Sequence, residues 1–123
     1  MLVVDDNRDT VITLRALLEH EGYETTGAHD AHAAIVKIAE FDPDVVIADL
    51  AMPGKSGWDI ARAMREGRTY GNDRPVMIAI SGEYTKGADR ILTEMSGFNY
   101  FLSKPFDPKV LLALLTPLVP QGA

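Results

Sequence analysis

Cysteine is missing from all 123 residues, and with it go a disulfide framework, a thiolate zinc site and a cysteine nucleophile. No uninterrupted apolar run approaches the ~20 residues that a membrane-spanning helix needs. No secretory signal stands ahead of the first polar cluster, Asp5-Asp6-Asn7. Positive charge is scarce: twelve Lys+Arg against eighteen Asp+Glu leave a net charge of −6. Direct binding to nucleic acid or to an anionic membrane is disfavoured, since both want a basic face. Internal repeats and low-complexity tracts are absent too. What is present is a 46% apolar composition, enough for a real core in a chain of single-domain size. The reading is a soluble, cytoplasmic single domain.

Short β-rich apolar runs alternate with longer segments of helical period. The runs are Leu2-Val3-Val4, Val45-Val46-Ile47-Ala48, Val76-Met77-Ile78-Ala79-Ile80 and Tyr100-Phe101-Leu102, with a weaker one from Tyr23 to Ala28. Their continuous apolar character suits parallel strands buried on both faces. Val11, Leu14 and Leu18 mark a first helix, and Ala31, Ala34, Ile35, Ile38 and Ala39 a second. Ile60, Ala63 and Met64 mark a short third, Ala88, Ile91, Leu92 and Met95 a fourth, and Leu111, Leu114, Leu115 and Leu118 a fifth. Gly22 follows the first helix, Asp30 is placed to cap the second, and Asp107-Pro108 reads as an N-cap followed by proline at the first helical position. Pro117 stops the last helix near Thr116, and Gly67 to Arg74 reads as a loop. The order is (βα)₅, which predicts an α/β doubly wound parallel sheet with helices on both faces.

Ligands of such sheets sit beyond the carboxyl ends of the strands. There the first strand delivers Asp5 and Asp6, and the third delivers Asp49, followed by Leu50-Ala51-Met52-Pro53-Gly54. The fourth delivers Ser81-Gly82 and the fifth Ser103-Lys104-Pro105-Phe106. Three carboxylates, a hydroxyl and an ammonium converge on one edge. Two unit charges about 4 Å apart repel by roughly 4 kcal/mol at an effective dielectric near 20, so three carboxylates stay ionised together only beside positive charge. Lys104 offsets one. A hard divalent cation offsets the others, and an oxygen-only ligand set favours Mg²⁺ or Mn²⁺. The edge reads as a site for metal plus phosphate.

These residues resemble the receiver domain of two-component response regulators. The resemblance covers Met1 to about Val119. It rests on Val3-Val4-Asp5-Asp6-Asn7, on Val46-Ile47-Ala48-Asp49-Leu50-Ala51-Met52-Pro53-Gly54 with Gly57, on Ala79-Ile80-Ser81-Gly82 and on Ser103-Lys104-Pro105-Phe106. It implies a flavodoxin-like strand order, 2-1-3-4-5. It also implies that Asp49 accepts a phosphoryl group from a phosphohistidine on a sensor histidine kinase or a histidine phosphotransfer protein. Asp5 and Asp6 then hold Mg²⁺ together with Asp49 and the backbone carbonyl of Ala51, Asp6 directly and Asp5 mostly through water. Lys104 pairs with one phosphoryl oxygen and the Ser81 hydroxyl with another.

The resemblance further implies a switch, in which Ser81 moves toward the phosphoryl group and the aromatic residue three before Lys104, here Phe101, turns inward. Phenylalanine fills that space but carries no hydroxyl. The responding surface spans the fourth helix, fifth strand and fifth helix, roughly Lys86 to Leu118, and controls a partner or an output domain. Receivers pair through this face or remain monomeric. Ala51 has no side chain able to order an attacking water, Glu83 is placed to orient or repel one, and Gly82 stands where alanine is usual.

The remaining candidates read blandly. Met52, Met64, Met77 and Met95 are packing residues. His20, His29 and His32 lie on or beside helices, away from the site edge, as surface residues. Arg8 is a solvated helix end, Asp42 and Asp44 serve turn and cap chemistry, and Trp58 is either a reporter of the site or ordinary packing. Two competing functions carry less weight. A phosphorylation-independent docking module would not need the complete acceptor site. An aspartyl-phosphate phosphatase would place a second Asp where Ala51 stands, so a turnover enzyme is not expected. Residues 1–119 read as the receiver, and 120–123 as a C-terminal tail or linker stub. The output therefore belongs to another chain or to another part of a longer one.

Overall fold

The computed structural model describes residues 1–50, 59–60, 62, 75–81, 98–104 and 106–118. Five parallel strands form one sheet: β1 (Leu2–Val4), β2 (Thr26–Ala28), β3 (Val45–Asp49), β4 (Val76–Ser81) and β5 (Tyr100–Ser103), in the order β2-β1-β3-β4-β5. The expected doubly wound α/β architecture and strand order are therefore observed. Three described helices accompany the sheet: α1 (Arg8–His20), α2 (Ala31–Phe41) and α3 (Pro108–Leu115), the last being the fifth helix expected from the sequence. Asp59, Ile60 and Arg62 are also helical, where the short third helix was expected. The rest of that segment, the expected loop Gly67 to Arg74 and the expected helix through Ala88 to Met95 lie outside the described residues.

The strands split their side chains between two cores, as period-two alternation requires. Leu2, Val4, Val46, Ala48, Met77 and Ala79 pack with Ala31, Ala34 and Ile38 of α2 and with Ile60. Their neighbours Val3, Val45, Ile47, Ile78 and Ile80 pack on the opposite face with Val11, Leu14 and Leu18 of α1 and with Leu111 and Leu115 of α3. Residues of the central strands are thus packed on both faces of the sheet, which is why the central runs carry no polar alternation. β5, at the edge, is only half-buried.

Local chemistry sets the helix ends. Asp30 accepts the Ala33 amide at 2.7 Å, and Asp107 accepts the Lys109 amide at 2.9 Å ahead of Pro108. Each such cap contributes about 1 kcal/mol. Asn7 caps α1 through the amides of Asp9 and Thr10. At the far end of α1 the Tyr23 amide donates to the Leu18 carbonyl and the Gly22 amide to the Glu19 carbonyl. Gly22 takes φ 94° there, a left-handed conformation natural to glycine. α3 ends at Leu115 with Thr116 as its cap, immediately before Pro117. The second strand is shorter than its apolar run suggested: Tyr23 closes α1 instead, and only Thr26–Ala28 pair with β1.

Gly27 in β2 lets α1 approach closely. A methyl group at its α-carbon would stand 2.6 Å from Val11 Cγ1. Arg15 of α1 reaches over the same place, donating from Nε to Thr25 Oγ1 at 3.0 Å. These contacts hold α1, whose N-cap Asn7 follows directly on Asp5 and Asp6.

Candidate functional site

The chain leaves β1 toward β2 on one side and enters β3 on the other, so β1 and β3 flank the switch point of the sheet. Asp5 follows the last residue of β1 and Asp49 is the last residue of β3, on strands that pair directly. Both are buried, with 3% and 7% of their surface exposed. Lys104, one residue past β5, reaches between them. Its Nζ donates to Asp49 Oδ2 at 3.1 Å and to Asp5 Oδ2 at 3.2 Å. The second oxygen of Asp5 accepts the Asn7 amide at 3.0 Å. Asp6 is exposed beside them.

The electrostatics reflect a site short of positive charge. Burial pushes the Asp5 carboxyl above the ordinary carboxylate range. The Asn7 amide and Lys104 pull it down and the nearby Asp49 charge pushes it up again, leaving it raised. For Lys104, burial alone would lower the value. Its hydrogen bond to Asp49 and the charges of Asp5 and Asp49 outweigh that and hold the ammonium above the usual lysine range.

Asp5, Asp6 and Asp49 each offer a carboxylate oxygen, all within 4.8 Å of one another. Opposite ligands of an octahedral Mg²⁺ stand about 4.2 Å apart, so the three fit a small, hard cation with little adjustment. One ammonium against three carboxylates leaves a deficit of two positive charges, and a divalent ion supplies them. The Asp cluster expected from the sequence is thus brought together, with Lys104 bonded to two of its three members.

Of the other expected residues, Ser81 ends β4 and is paired in register with Ser103 of β5. Phe101 lies opposite Ala79 in β5, half-buried against the core on the α2 side of the sheet. Ala51, Trp58, Gly82 and Glu83 lie outside the described residues. Arg8, His20 and His32 are exposed, as expected.

His29 corrects the reading from sequence. Instead of standing away from the site edge, it follows the last residue of β2, half-buried, with its ring Nδ1 3.3 Å from the carbonyl oxygen of Asp5. The parallel pairing of β2 with β1 brings it there. The sequence signal for it is its place one residue past the weak second strand, the position that Asp5 and Lys104 hold after theirs. A groove of about 640 Å³ lies between α1 and the start of α3, walled by Leu14, Leu17, Phe106 and Pro108, with Lys104 also in its lining.

The model of the response regulator receiver domain matches residues 1–116 of the chain. Among curated relatives, the DNA-binding response regulator MtrA of Mycobacterium tuberculosis is 34% identical over 113 residues, 92% of this chain and 47% of its own. The chain therefore spans about half the length of that relative. An uncharacterised 14.6 kDa protein of Leptolyngbya boryana is 37% identical over 115 residues, covering 94% of this chain and 86% of its own. Among solved structures, the chemotaxis protein CheY4 of Vibrio cholerae superposes with a TM-score of 0.85 at 28% identity, over 96% of both chains.

Proposed function

From the membership of this chain in the response regulator receiver family, whose general role is phosphorylation-based signalling, we propose that Asp49 is the phosphoryl acceptor of a two-component switch. The observation that carries the reading is Lys104 Nζ, held within 3.2 Å of both Asp5 and Asp49. A cation so close to the Asp49 carboxylate supports the reading, since it is in reach of an anion that joins that oxygen.

The donor is a phosphohistidine of a sensor histidine kinase or a histidine phosphotransfer protein. An Asp49 carboxylate oxygen attacks phosphorus as the P–N bond opposite breaks. The imidazole leaves with the bonding pair, and an acyl phosphate remains on Asp49. Lys104 meets the arriving charge with its ammonium, and the Ser81 hydroxyl donates to a second phosphoryl oxygen. Asp5, Asp6, Asp49 and the Ala51 carbonyl would hold Mg²⁺, which when bound would supply Lewis-acid charge against the phosphoryl oxygens. Asp6 would be a direct ligand. Asp5, with one oxygen on Lys104 and the other on the Asn7 amide, would act through water.

A phosphoryl group adds about −1.5 to −2 charges and three acceptor oxygens. Ser81 follows that charge and Phe101 turns inward, changing the surface of β5 and α3. Residues 1–119 act as the receiver and 120–123 as a tail or linker. The output is carried by a further part of a longer chain, as the half-length match to MtrA supports, or by a separate protein in the same cytoplasmic compartment. This is a switch and not a turnover enzyme.

The test is incubation with Mg²⁺ and acetyl phosphate, followed by intact mass. An acid-stable, base-labile adduct of one phosphoryl group, absent in Asp49→Asn, is expected. No adduct, together with no change of Trp58 fluorescence on adding beryllofluoride, supports a phosphorylation-independent docking module instead.

A further inference from the structure

His29 has no part in the reaction as set out above, yet it touches the one peptide group shared by two of the acidic residues. The carbonyl of Asp5 belongs to the peptide joining Asp5 to Asp6. A peptide is planar, so the direction of that carbonyl fixes how the backbone passes from one acidic residue to the next. On its near side the Asp5 amide donates to the Ala28 carbonyl at 3.2 Å, the outermost bond between β1 and β2. The strand ends there, and the ring of His29 takes the acceptor that a longer ladder would give to a backbone amide. On the far side, the Asn7 amide donates to the Asp5 carboxylate.

We propose that His29 is a positioning residue for the metal-binding carboxylates: a hydrogen bond from its Nδ1 to the Asp5 carbonyl locks the Asp5–Asp6 peptide in the orientation that presents both side chains to the cation. The inference rests on the reading of Asp5 and Asp6 as Mg²⁺ ligands. A carbonyl only accepts, so the contact requires the hydrogen on Nδ1. Ala28, the last residue of β2, and His29, which follows it, thereby grip the amide and the carbonyl of one aspartate. Without the ring, the first turn beyond β1 keeps its tie to Ala28 but loses its hold on the next peptide plane. Partners that orient metal ligands in this way typically carry about a tenfold share of metal affinity.

The test compares His29→Asn, His29→Gln and His29→Leu with the wild type, by calorimetric Mg²⁺ titration and by melting in EDTA. The asparagine amide nitrogen stands where Nδ1 does, whereas the glutamine amide reaches one carbon further. Expected are near-wild-type Mg²⁺ affinity in His29→Asn and about tenfold weaker affinity in His29→Gln and His29→Leu, with EDTA melting temperatures alike across the folded variants. Equal affinity in all four proteins overturns the proposal and leaves Asp5 and Asp6 as ligands. Equal loss in Asn and Gln overturns the donor role. A wild type that binds no Mg²⁺ overturns both this proposal and the reading on which it rests. Should the leucine variant fail to fold, the Asn and Gln pair decides. Nitrogen NMR of the wild-type imidazole gives an independent measure: a hydrogen on Nδ1 is expected, and a neutral ring protonated only at Nε2 overturns the inference.

Discussion

Lys104 Nζ stands 3.1 Å from Asp49 Oδ2 and 3.2 Å from Asp5 Oδ2, so one ammonium serves two buried carboxylates on adjacent strands. Replacing it with methionine leaves those carboxylates facing each other without a counter-charge. Loss of one partner from a fully buried pair costs about 3–5 kcal/mol. With 33% of the lysine side chain exposed, solvent screening reduces the expected cost to about 1–2 kcal/mol. Urea unfolding of Lys104→Met against wild type, at pH 7 in EDTA, measures it. Acid shrinks the difference, because protonating Asp5 relieves the repulsion.

Asp5 itself gives a pH dependence whose sign is opposite to that of an ordinary salt-bridged aspartate. Its folded-state value is raised, chiefly by burial, so between 3.8 and that raised value the folded state holds a proton that the unfolded state has released. Stability from this group therefore falls as pH rises through that window and recovers on acidification. Asp5→Asn removes the window. The expected result is a metal-free protein at least as stable as wild type at pH 7, with a flatter stability profile between pH 4 and 7. Mg²⁺ at a hundredfold its Kd should stabilise wild type by about 2.7 kcal/mol and should stabilise Asp5→Asn far less. Thermal melts with Mg²⁺ and with EDTA check both halves.

Gly27 is a packing glycine. An alanine methyl at this position meets Val11 Cγ1 at 2.6 Å, with Arg15 Cδ at 3.4 Å, so α1 must shift or Val11 must leave its rotamer. Gly27→Ala should destabilise by about 1–3 kcal/mol, the usual range for overpacking. The double variant Gly27→Ala with Val11→Ala should recover part of that loss in chemical denaturation.

Tyr23 buries its ring beside Leu18, while its hydroxyl is enclosed with no hydrogen-bond partner among the described residues. Desolvating a hydroxyl without a partner costs about 1–3 kcal/mol. Tyr23→Phe keeps the ring and should raise stability by about 1 kcal/mol. An unfolding midpoint equal to or below wild type would contradict the assignment of that hydroxyl as unpartnered.

Much of the framework was legible because strand burial here is two-sided. Val45 to Ala48 and Val76 to Ile80 have no polar partner in their runs, and both became central strands with ends within one residue of the apolar limits. The caps Asp30 and Asp107 were readable from residue type and position alone. Tyr23 was misjudged because an aromatic beside a strand looks like strand, whereas here it closes α1 against Leu18. The acidic cluster was readable because strands of one direction put their ends on one edge. The division of Lys104 between Asp5 and Asp49 was not, since it depends on how far β5 carries the lysine past its neighbours. His29 was harder still. Its partner is a main-chain oxygen 24 residues away, and no pattern of side chains encodes that.

The alternation of the two cores along β3 has a further consequence. Val45 and Ile47 belong to one core and Val46 and Ala48 to the other, so Asp49 falls, by simple parity, with the odd-numbered set. One residue inserted or deleted within this strand would preserve an apolar run long enough to fill its place in the sheet. It would nevertheless turn the aspartate to the opposite face, away from Lys104. Substitutions in β3 are thus questions of volume, while changes of length are questions of direction. A lineage of such chains can repack this strand freely, but it can recount it only in twos.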